Sequence, residues 1–183
     1  MTHPIERHTV TALVEDRPGV LNRISSMFRR RGYNISSLAV GQSETEGLSR
    51  MTFVVEGDPD TVEMVSKNLH KLVEVIKVVN ISQDNVVSRE LALVRVESDA
   101  SSRSEIMQIV DIFRAKIVDV SQGTLIIEVT GDEDKVDSLV YLLGIFGVKE
   151  VMRTGTIAMS RGVSFEQETK RQKSVSNTCP VHV

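Results

Sequence analysis

Gly57-Asp58-Pro59-Asp60-Thr61-Val62 recurs as Gly131-Asp132-Glu133-Asp134-Lys135-Val136, 74 residues further along the chain. Each of these segments follows a predicted strand and opens a predicted helix. Asp58 is a candidate N-cap, and Pro59 suits the first position of a helix because its missing N–H needs no partner there. Similar segments at a fixed spacing indicate that the chain contains one structural unit twice.

The hydrophobic pattern around the first segment predicts the order strand, helix, strand, strand, helix, strand. The predicted strands are 8–15, 34–43, 48–56 and 74–81, and the predicted helices are 18–31 and a second that begins near Pro59. Five apolar residues of the first helix are predicted to share its buried face: Val20, Leu21, Ile24, Met27 and Phe28.

The same order follows the polar stretch 82–89. The predicted strands are 91–97, 117–121, 125–130 and 150–158, and the predicted helices are 103–114 and 132–146. Two copies of this order predict an α+β protein made of two tandem ferredoxin-like βαββαβ sandwiches. The expected domains are 1–82 and 83–162, followed by a polar tail, 163–183, that the core does not need.

Composition excludes several classes of protein. With 22 basic and 25 acidic residues, a net charge of −3 argues against a nucleic-acid-binding protein. The chain has one cysteine, Cys179, and its four histidines show no ligand spacing, so no metal site is predicted. The longest apolar stretch, 139–148, is too short to cross a bilayer. A cytoplasmic protein with no membrane association is expected.

The candidate functional site lies in Glu15-Asp16-Arg17-Pro18-Gly19-Val20-Leu21, where the first strand meets the first helix. Gly19 lets a ligand approach the backbone, and a helix N-terminus favours an anion such as a carboxylate. Asp16 can pair with an ammonium group. These features favour a receptor for a free amino acid, although Asp16 and Pro18-Gly19 are also explained as a helix cap and a turn.

The second unit lacks this turn, because Ser98-Asp99-Ala100-Ser101-Ser102-Arg103 stands at the matching place without Pro-Gly. Other functions of the fold are disfavoured as well. An RNA-binding module needs two or three stacking aromatics, and the third strand offers only Phe53. No pair of a nucleophile and a base is visible, so no catalytic residues are predicted.

Further segments resemble a known family. Residues 8–81 resemble an ACT domain, the ferredoxin-like module that senses amino acids. The wider set of motifs is similar to the small regulatory subunit of acetolactate synthase (acetohydroxyacid synthase). The motifs are 16–21, Arg31-Gly32-Tyr33-Asn34-Ile35, Leu48-Ser49-Arg50-Met51-Thr52, Leu69-His70-Lys71-Leu72, Glu90-Leu91, Ile112-Phe113-Arg114 and Ser160-Arg161-Gly162.

The resemblance implies a non-catalytic partner of a thiamine-diphosphate enzyme in branched-chain amino-acid synthesis. Such a subunit activates the large catalytic subunit and confers feedback inhibition by valine, or by another branched-chain amino acid such as leucine or isoleucine. Thiamine diphosphate, FAD and magnesium are expected on the partner and no cofactor on this chain. The alternative is a free-standing ACT-type sensor that controls another enzyme or a transcription factor.

In the family, two ACT domains pair side by side and the amino acid binds between them. The implied site joins the backbone around Gly19, Val20 and Leu21, for the carboxylate, to Asp16 and Asn34, for the ammonium. Val20, Leu21 and Ile35 are expected to line the side-chain pocket. Asn34 is equally well explained as a turn residue.

The last predicted helix carries more apolar residues than one buried face needs: Val136, Leu139, Val140, Leu142, Leu143, Ile145 and Phe146. A second buried face is expected, either against the catalytic subunit or between the two units of the chain.

Overall fold

The structure is a computed structural model that describes residues 6–162. Its first half contains β1 (Glu6–Glu15), α1 (Val20–Arg31), β2 (Asn34–Gln42), β3 (Leu48–Gly57), α2 (Pro59–Leu69) and β4 (Val75–Asn80). Its second half contains β5 (Val86–Glu97), α3 (Arg103–Ile112), β6 (Lys116–Val120), β7 (Thr124–Gly131), α4 (Glu133–Leu143), a 3-10 turn (Gly144–Phe146), β8 (Val148–Arg153) and β9 (Ile157–Ser160).

Both halves have the predicted ferredoxin-like architecture. The antiparallel strands are arranged β2-β3-β1-β4 in the first sheet and β6-β7-β5-β8 in the second. Two helices cover one face of each sheet, and a separate cluster of buried residues fills each half. β2 therefore lies at a sheet edge, and the prediction of two tandem sandwiches is confirmed.

The repeated segment has the same local structure in both halves. The Asp58 carboxylate accepts a hydrogen bond of 2.7 Å from the Thr61 N–H, and the Asp132 carboxylate accepts one of 3.0 Å from the Lys135 N–H. A Cβ on Gly57 would come within 2.7 Å of Thr61 Cγ2, and one on Gly131 within 2.6 Å of Lys135 Cδ. Close approach of the strand to the following helix favours glycine at both positions, and each aspartate recurs because it caps that helix.

The first helix begins later than predicted. Pro18 precedes it, and Gly19 occupies the N-cap position in a left-handed conformation, with φ of +92°. Val20, Ile24, Met27 and Phe28 are buried as predicted, and Phe28 stacks on Phe53 with ring centroids 5.4 Å apart. The prediction for Leu21 was wrong, because its side chain is 47% exposed.

The predicted strand 150–158 is two strands. Gly155, with φ of +81°, lies in the break between β8 and β9. The polar stretch 82–89 also hides the start of β5, whose residues Val86–Arg89 pair with β9. The predicted helix 132–146 ends at Leu143 and continues as the 3-10 turn, which a left-handed Gly147 closes.

The two halves contact each other around β2 and the loop between β8 and β9. The Thr156 N–H donates a hydrogen bond of 2.8 Å to Ser37 Oγ. Gly155 lies against the Leu38 carbonyl so closely that a Cβ would come within 2.9 Å of its oxygen. A cavity of about 520 Å³ separates Ala39 and Thr52 of the first sheet from the ribbon that β5 and β9 form. The second half is thus docked on the first sheet by specific contacts.

None of the helices in residues 6–162 is both long and apolar enough to span a membrane. The predicted tail, 163–183, lies outside the described residues.

Candidate functional site

The turn between β1 and α1 is exposed and is held by backbone hydrogen bonds from its neighbours. The Asp16 N–H donates to the Gly47 carbonyl at 2.8 Å, and the Glu15 N–H donates to the Glu74 carbonyl at 2.9 Å. Gly19 has φ of +92°, a conformation that residues with a Cβ rarely adopt. A Cβ built on Gly19 meets nothing within 4 Å, so a ligand can approach this backbone freely.

The N-terminus of α1 has no side-chain cap. The first N–H groups of an α-helix have no acceptor within the helix, and the helix dipole places partial positive charge beside them. The interpretation of Asp16 as a helix cap is therefore wrong. Asp16 is exposed, and among the first donors of α1 the Val20 N–H makes only a long hydrogen bond of 3.5 Å, to the Arg17 carbonyl.

An ion-pair cluster that the sequence did not reveal lies behind this turn. Glu74 is 5% exposed, and its Oε1 accepts a hydrogen bond of 2.6 Å from Arg23 Nη1 and lies 3.5 Å from Arg17 Nη2. Arg17 Nε also lies 2.7 Å from Glu15 Oε2. Two guanidinium groups therefore flank the turn, and their charges are balanced by the carboxylates of Glu74 and Glu15.

The apolar residues of the predicted site have different environments. Val20 is buried in the core of the first half, so its side chain faces away from the exposed turn. Leu21 exposes nearly half of its side chain beside the turn. Ile35 is partly buried and packs against the same core as Val20. Within one chain, Leu21 is the member of this set that a ligand at the turn can reach.

Asn34 and Ile35 lie far from the turn in the same chain. Asn34 pairs with Glu56 in the strand register, whereas Glu15, which precedes the turn, pairs with Leu48. Eight residues of β3 separate the two positions, roughly 26 Å at about 3.3 Å per residue. A single chain therefore does not bring the two parts of the predicted site together.

Pairing of two chains along β2 would do so. β2 has a neighbour on one side only, and it contains neither lysine nor proline. In an antiparallel pair of β2 strands, the Asn34 end of one strand lies next to the Gln42 end of the other. The Gln42 end is the end that carries the turn, because Gln42 pairs with Ser49 and Ser49 with Val14.

Asn34 is not a free turn residue, because it is the first residue of β2 and has a charged partner. Its Nδ2 donates a hydrogen bond of 2.7 Å to Glu56 Oε2. Nothing local in the sequence predicts this contact, since the two residues lie 22 positions apart. The contact sets the direction of the Asn34 amide.

The matching turn of the second half has a similar backbone contact with the neighbouring loop, but its N–H groups donate to a carboxylate of the turn itself. The Ser98 N–H donates to the Gly123 carbonyl at 2.9 Å, as Asp16 does to Gly47. The Asp99 carboxylate then accepts hydrogen bonds from the N–H groups of Ser101 and Ser102, at 2.9 and 2.7 Å. These bonds and those from the two serine hydroxyls hold the pKa of Asp99 far below its ordinary value. The chain's own carboxylate thus occupies the place where the first half leaves room for a ligand.

The last helix carries the apolar surplus on an exposed face. Val136, Leu139 and Leu143 are buried, whereas Tyr141, Leu142 and Ile145 are exposed. Packing between the two halves therefore does not account for the surplus. Among residues 6–162, no group of three or more His, Cys, Asp or Glu side chains is arranged to hold a metal ion.

Comparison with known proteins agrees with this geometry. The fold of the first half, with its glycine turn and its edge strand, is that of an ACT domain. A family profile described as the AHAS small subunit-like ACT domain matches residues 10–77, and one described as the small subunit of acetolactate synthase matches residues 89–162. The chain belongs to the family of acetolactate synthase small subunits.

Individual relatives support the same assignment. A probable acetolactate synthase small subunit of Archaeoglobus fulgidus is 54% identical over 156 residues, which are 85% of this chain and 98% of that protein. The acetolactate synthase small subunit of Bacillus subtilis is 45% identical over 93% of this chain and 98% of its own length. The crystal structure of the small subunit from Thermotoga maritima superimposes with a TM-score of 0.81, at 46% identity, over 87% of this chain and all of that one.

Proposed function

We propose that this chain is a non-catalytic regulatory subunit that activates the catalytic subunit of acetolactate synthase and makes it sensitive to valine. The observation that carries the proposal is the uncapped Gly19 turn, in a chain whose site can be completed only by a second copy. The catalytic partner would hold thiamine diphosphate, FAD and magnesium.

The effector would bind between two ACT domains that pair along β2. The N–H groups around Gly19, Val20 and Leu21 of one chain would hold its carboxylate. Asp16 of that chain and the amide oxygen of Asn34 from the other would accept hydrogen bonds from the ammonium group. A full negative charge at Asp16 favours an ammonium ion over a neutral ligand.

The branched side chain of the effector would contact Leu21 and Ile35. Valine, leucine and isoleucine share the α-carboxylate and α-ammonium groups that the polar residues recognise. Discrimination among them would come from the space beside Leu21 and Ile35, and an extra methylene in such a pocket changes the binding free energy by about 1–3 kcal/mol.

Binding at an interface between two chains stabilises one relative orientation of those chains. An orientation that fits the catalytic subunit less well would then become more populated, and the enzyme would lose activity. A coupling free energy of about 1–3 kcal/mol suffices, since it corresponds to a change in affinity of roughly 5- to 150-fold. The exposed apolar face of α4 is the surface that we assign to the catalytic subunit.

The test mixes the purified chain with the acetolactate synthase catalytic subunit of the same organism, with and without L-valine. We expect activation that L-valine reverses and that D-valine, the matched control, leaves in place. Activation without any effect of L-valine would exclude valine as the effector but would still support the catalytic subunit as the partner. No change in enzyme activity would contradict the proposal and point to an ACT-type sensor of another protein.

A further inference from the structure

Three side chains form a polar row across the first sheet at the end where Asn34 lies. In the strand register Asn34 of β2 is opposite Glu56 of β3, and Glu56 is opposite Arg7 of β1. Asn34 Nδ2 donates to Glu56 Oε2 at 2.7 Å, and Arg7 Nε lies 3.8 Å from Glu56 Oε1. Each oxygen of the Glu56 carboxylate thus has its own partner in this row.

The contact with Glu56 fixes the direction of the Asn34 amide. An ionised carboxylate only accepts hydrogen bonds, so it must receive the NH₂ group of the amide and not its oxygen. The Asn34 oxygen therefore points away from Glu56 and can accept a hydrogen bond. An ammonium group, which only donates, requires exactly such an acceptor, and the nearby Glu56 charge favours it further.

The row continues into the second half of the chain. Arg7 Nη1 forms an ion pair with Glu133 Oε1, and Glu133 lies in the first turn of α4. The bond to Glu133 and the charges of Glu133 and Glu56 raise the pKa of Arg7 above its ordinary value. One turn further along α4, Asp137 pairs with Arg153 of β8.

We propose that Glu56 is a positioning residue of the effector site and that Arg7 and Glu133 connect this site to the second half. The proposal rests on the proposed function, because it assumes that Asn34 binds the ammonium group of the effector. When an ammonium group binds Asn34, Glu56 gains a second cation nearby and holds Arg7 less strongly. Arg7, which already contacts Glu133, then pairs with Glu133 alone, and the placement of α4 changes with the occupancy of the site.

The Arg7–Glu133 ion pair is weak enough for its strength to change when the effector binds. Arg7 is about half exposed, and partly exposed ion pairs contribute little to stability, so the Arg7–Glu133 pair is not needed for folding. Solvent-exposed pairs also weaken as salt screens them. A static surface contact would leave inhibition by valine unchanged when it is removed, which separates it from the role proposed here.

The first arm of the test measures valine binding to the full-length chain by isothermal titration calorimetry. Glu56→Gln lets the neighbouring amide turn either way, so we expect valine to bind about tenfold more weakly. Glu63→Gln is the control, because Glu63 also pairs with a cation, Lys67, but lies on α2 outside the proposed site, and it should bind as the unaltered chain does. Binding by Glu56→Gln within twofold of the unaltered chain would overturn the positioning role.

The second arm measures inhibition of the assembled enzyme at saturating valine. Glu133→Gln should keep the affinity of the chain for valine within twofold but reduce the maximal inhibition to less than half. Glu150→Gln, which removes a carboxylate paired with Arg95 elsewhere in the second half, is the control and should be fully inhibited. Full inhibition with Glu133→Gln would overturn the connection.

Salt provides a readout that a purely structural role would not change. Raising KCl from about 0.05 M to about 1 M shortens the Debye length to about 3 Å and should remove most of the difference between Glu133→Gln and the unaltered chain. If the unaltered chain binds no branched-chain amino acid, the proposed function fails and this inference falls with it. If it binds valine, the results with Glu56→Gln and Glu133→Gln decide whether this inference is correct.

Discussion

At the scale of single residues, the site depends on one glycine without a side chain and on charged groups that hold its neighbours. Gly19 leaves the start of α1 uncapped, and Glu74 holds Arg17 and Arg23 beside it. The sequence predicted the glycine, because Pro-Gly between a strand and a helix has a local meaning. It could not predict Glu74, which lies 57 residues from Arg17 and becomes its neighbour only through the pairing of β1 with β4.

Two substitutions of Gly19 with similar side-chain shapes, one charged and one neutral, test whether the carboxylate of the effector binds at this turn. Gly19→Asp places a carboxylate where the carboxylate of the effector would lie, so we expect inhibition by valine to be lost while activation of the catalytic subunit is kept. Gly19→Asn carries the same backbone strain without the charge and should require at most a few times more valine. Valine titrations of the assembled enzyme measure both.

Thermal melts of the two variants should coincide, because Asp and Asn adopt the left-handed conformation at similar cost. If Gly19→Asp were inhibited like the unaltered protein, the carboxylate of the effector would not bind at this turn.

At the scale of elements, the turns before α1 and α3 occupy matching places in the two halves but differ in whether their N–H groups are free for a ligand. α1 starts at an open turn, whereas Asp99 closes the turn before α3 by accepting from Ser101 and Ser102. The sequence distinguished these turns by the missing Pro-Gly, but the closing role of Asp99 required the structure. The strand errors have a similar origin: Val86 and Val87 were hidden in a polar stretch, and only their partners in β9 make them a strand.

Closure of the α3 turn predicts a pH dependence of stability. The pKa of Asp99 is lowered in the folded chain by hydrogen bonds to the ionised carboxylate, so its ionised form favours folding. This stabilisation is complete above the pKa of the unfolded chain, about 4, and declines gradually as the pH falls from there toward the much lower pKa of the folded chain. Asp99→Asn should therefore be less stable than the unaltered chain near pH 7, and the difference should become smaller near pH 3.

Urea unfolding of both chains at each pH measures the difference. Asp119→Asn, in an exposed position of β6, is a suitable control and should show a smaller dependence on pH. A constant difference between Asp99→Asn and the unaltered chain across this range would contradict the assigned cause.

At the scale of the whole molecule, the proposed site would need two chains, since Asn34 and Gly19 lie at opposite ends of one sheet. The sequence predicted the overall architecture because each half follows a local pattern, with caps, periodic helices and alternating strands. It did not predict how the halves dock, because the contacts of Gly155 and Thr156 with β2 join residues more than 115 positions apart.

Pairing along β2 predicts that a charge on this edge breaks the dimer. Val40 of β2 is 51% exposed, and Val40→Lys adds a cation to a strand edge that pairing must bury. We expect the dimer to dissociate at roughly tenfold higher protein concentration in sedimentation velocity, with valine affinity falling in parallel.

Val118→Lys is the matched control, because Val118 has the same 51% exposure and lies in β6, the edge strand of the second half. It should leave both dimerisation and valine binding unchanged. A stable dimer with Val40→Lys would place the interface, and with it the complete site, elsewhere on the molecule.

β5 is a single strand of twelve residues that belongs to two sheets, pairing with β9 at its start and with β7 and β8 along the rest. The short connection before it is fixed as well: the Ile81 N–H donates to the Thr9 carbonyl, and Ser160 Oγ donates to Asp84. The connection between the two halves is therefore fixed by hydrogen bonds on both sides, and it is not built as a flexible hinge. Rotation of the first half at a dimer contact would turn the second half about the axis of β5, with little lost to bending in between.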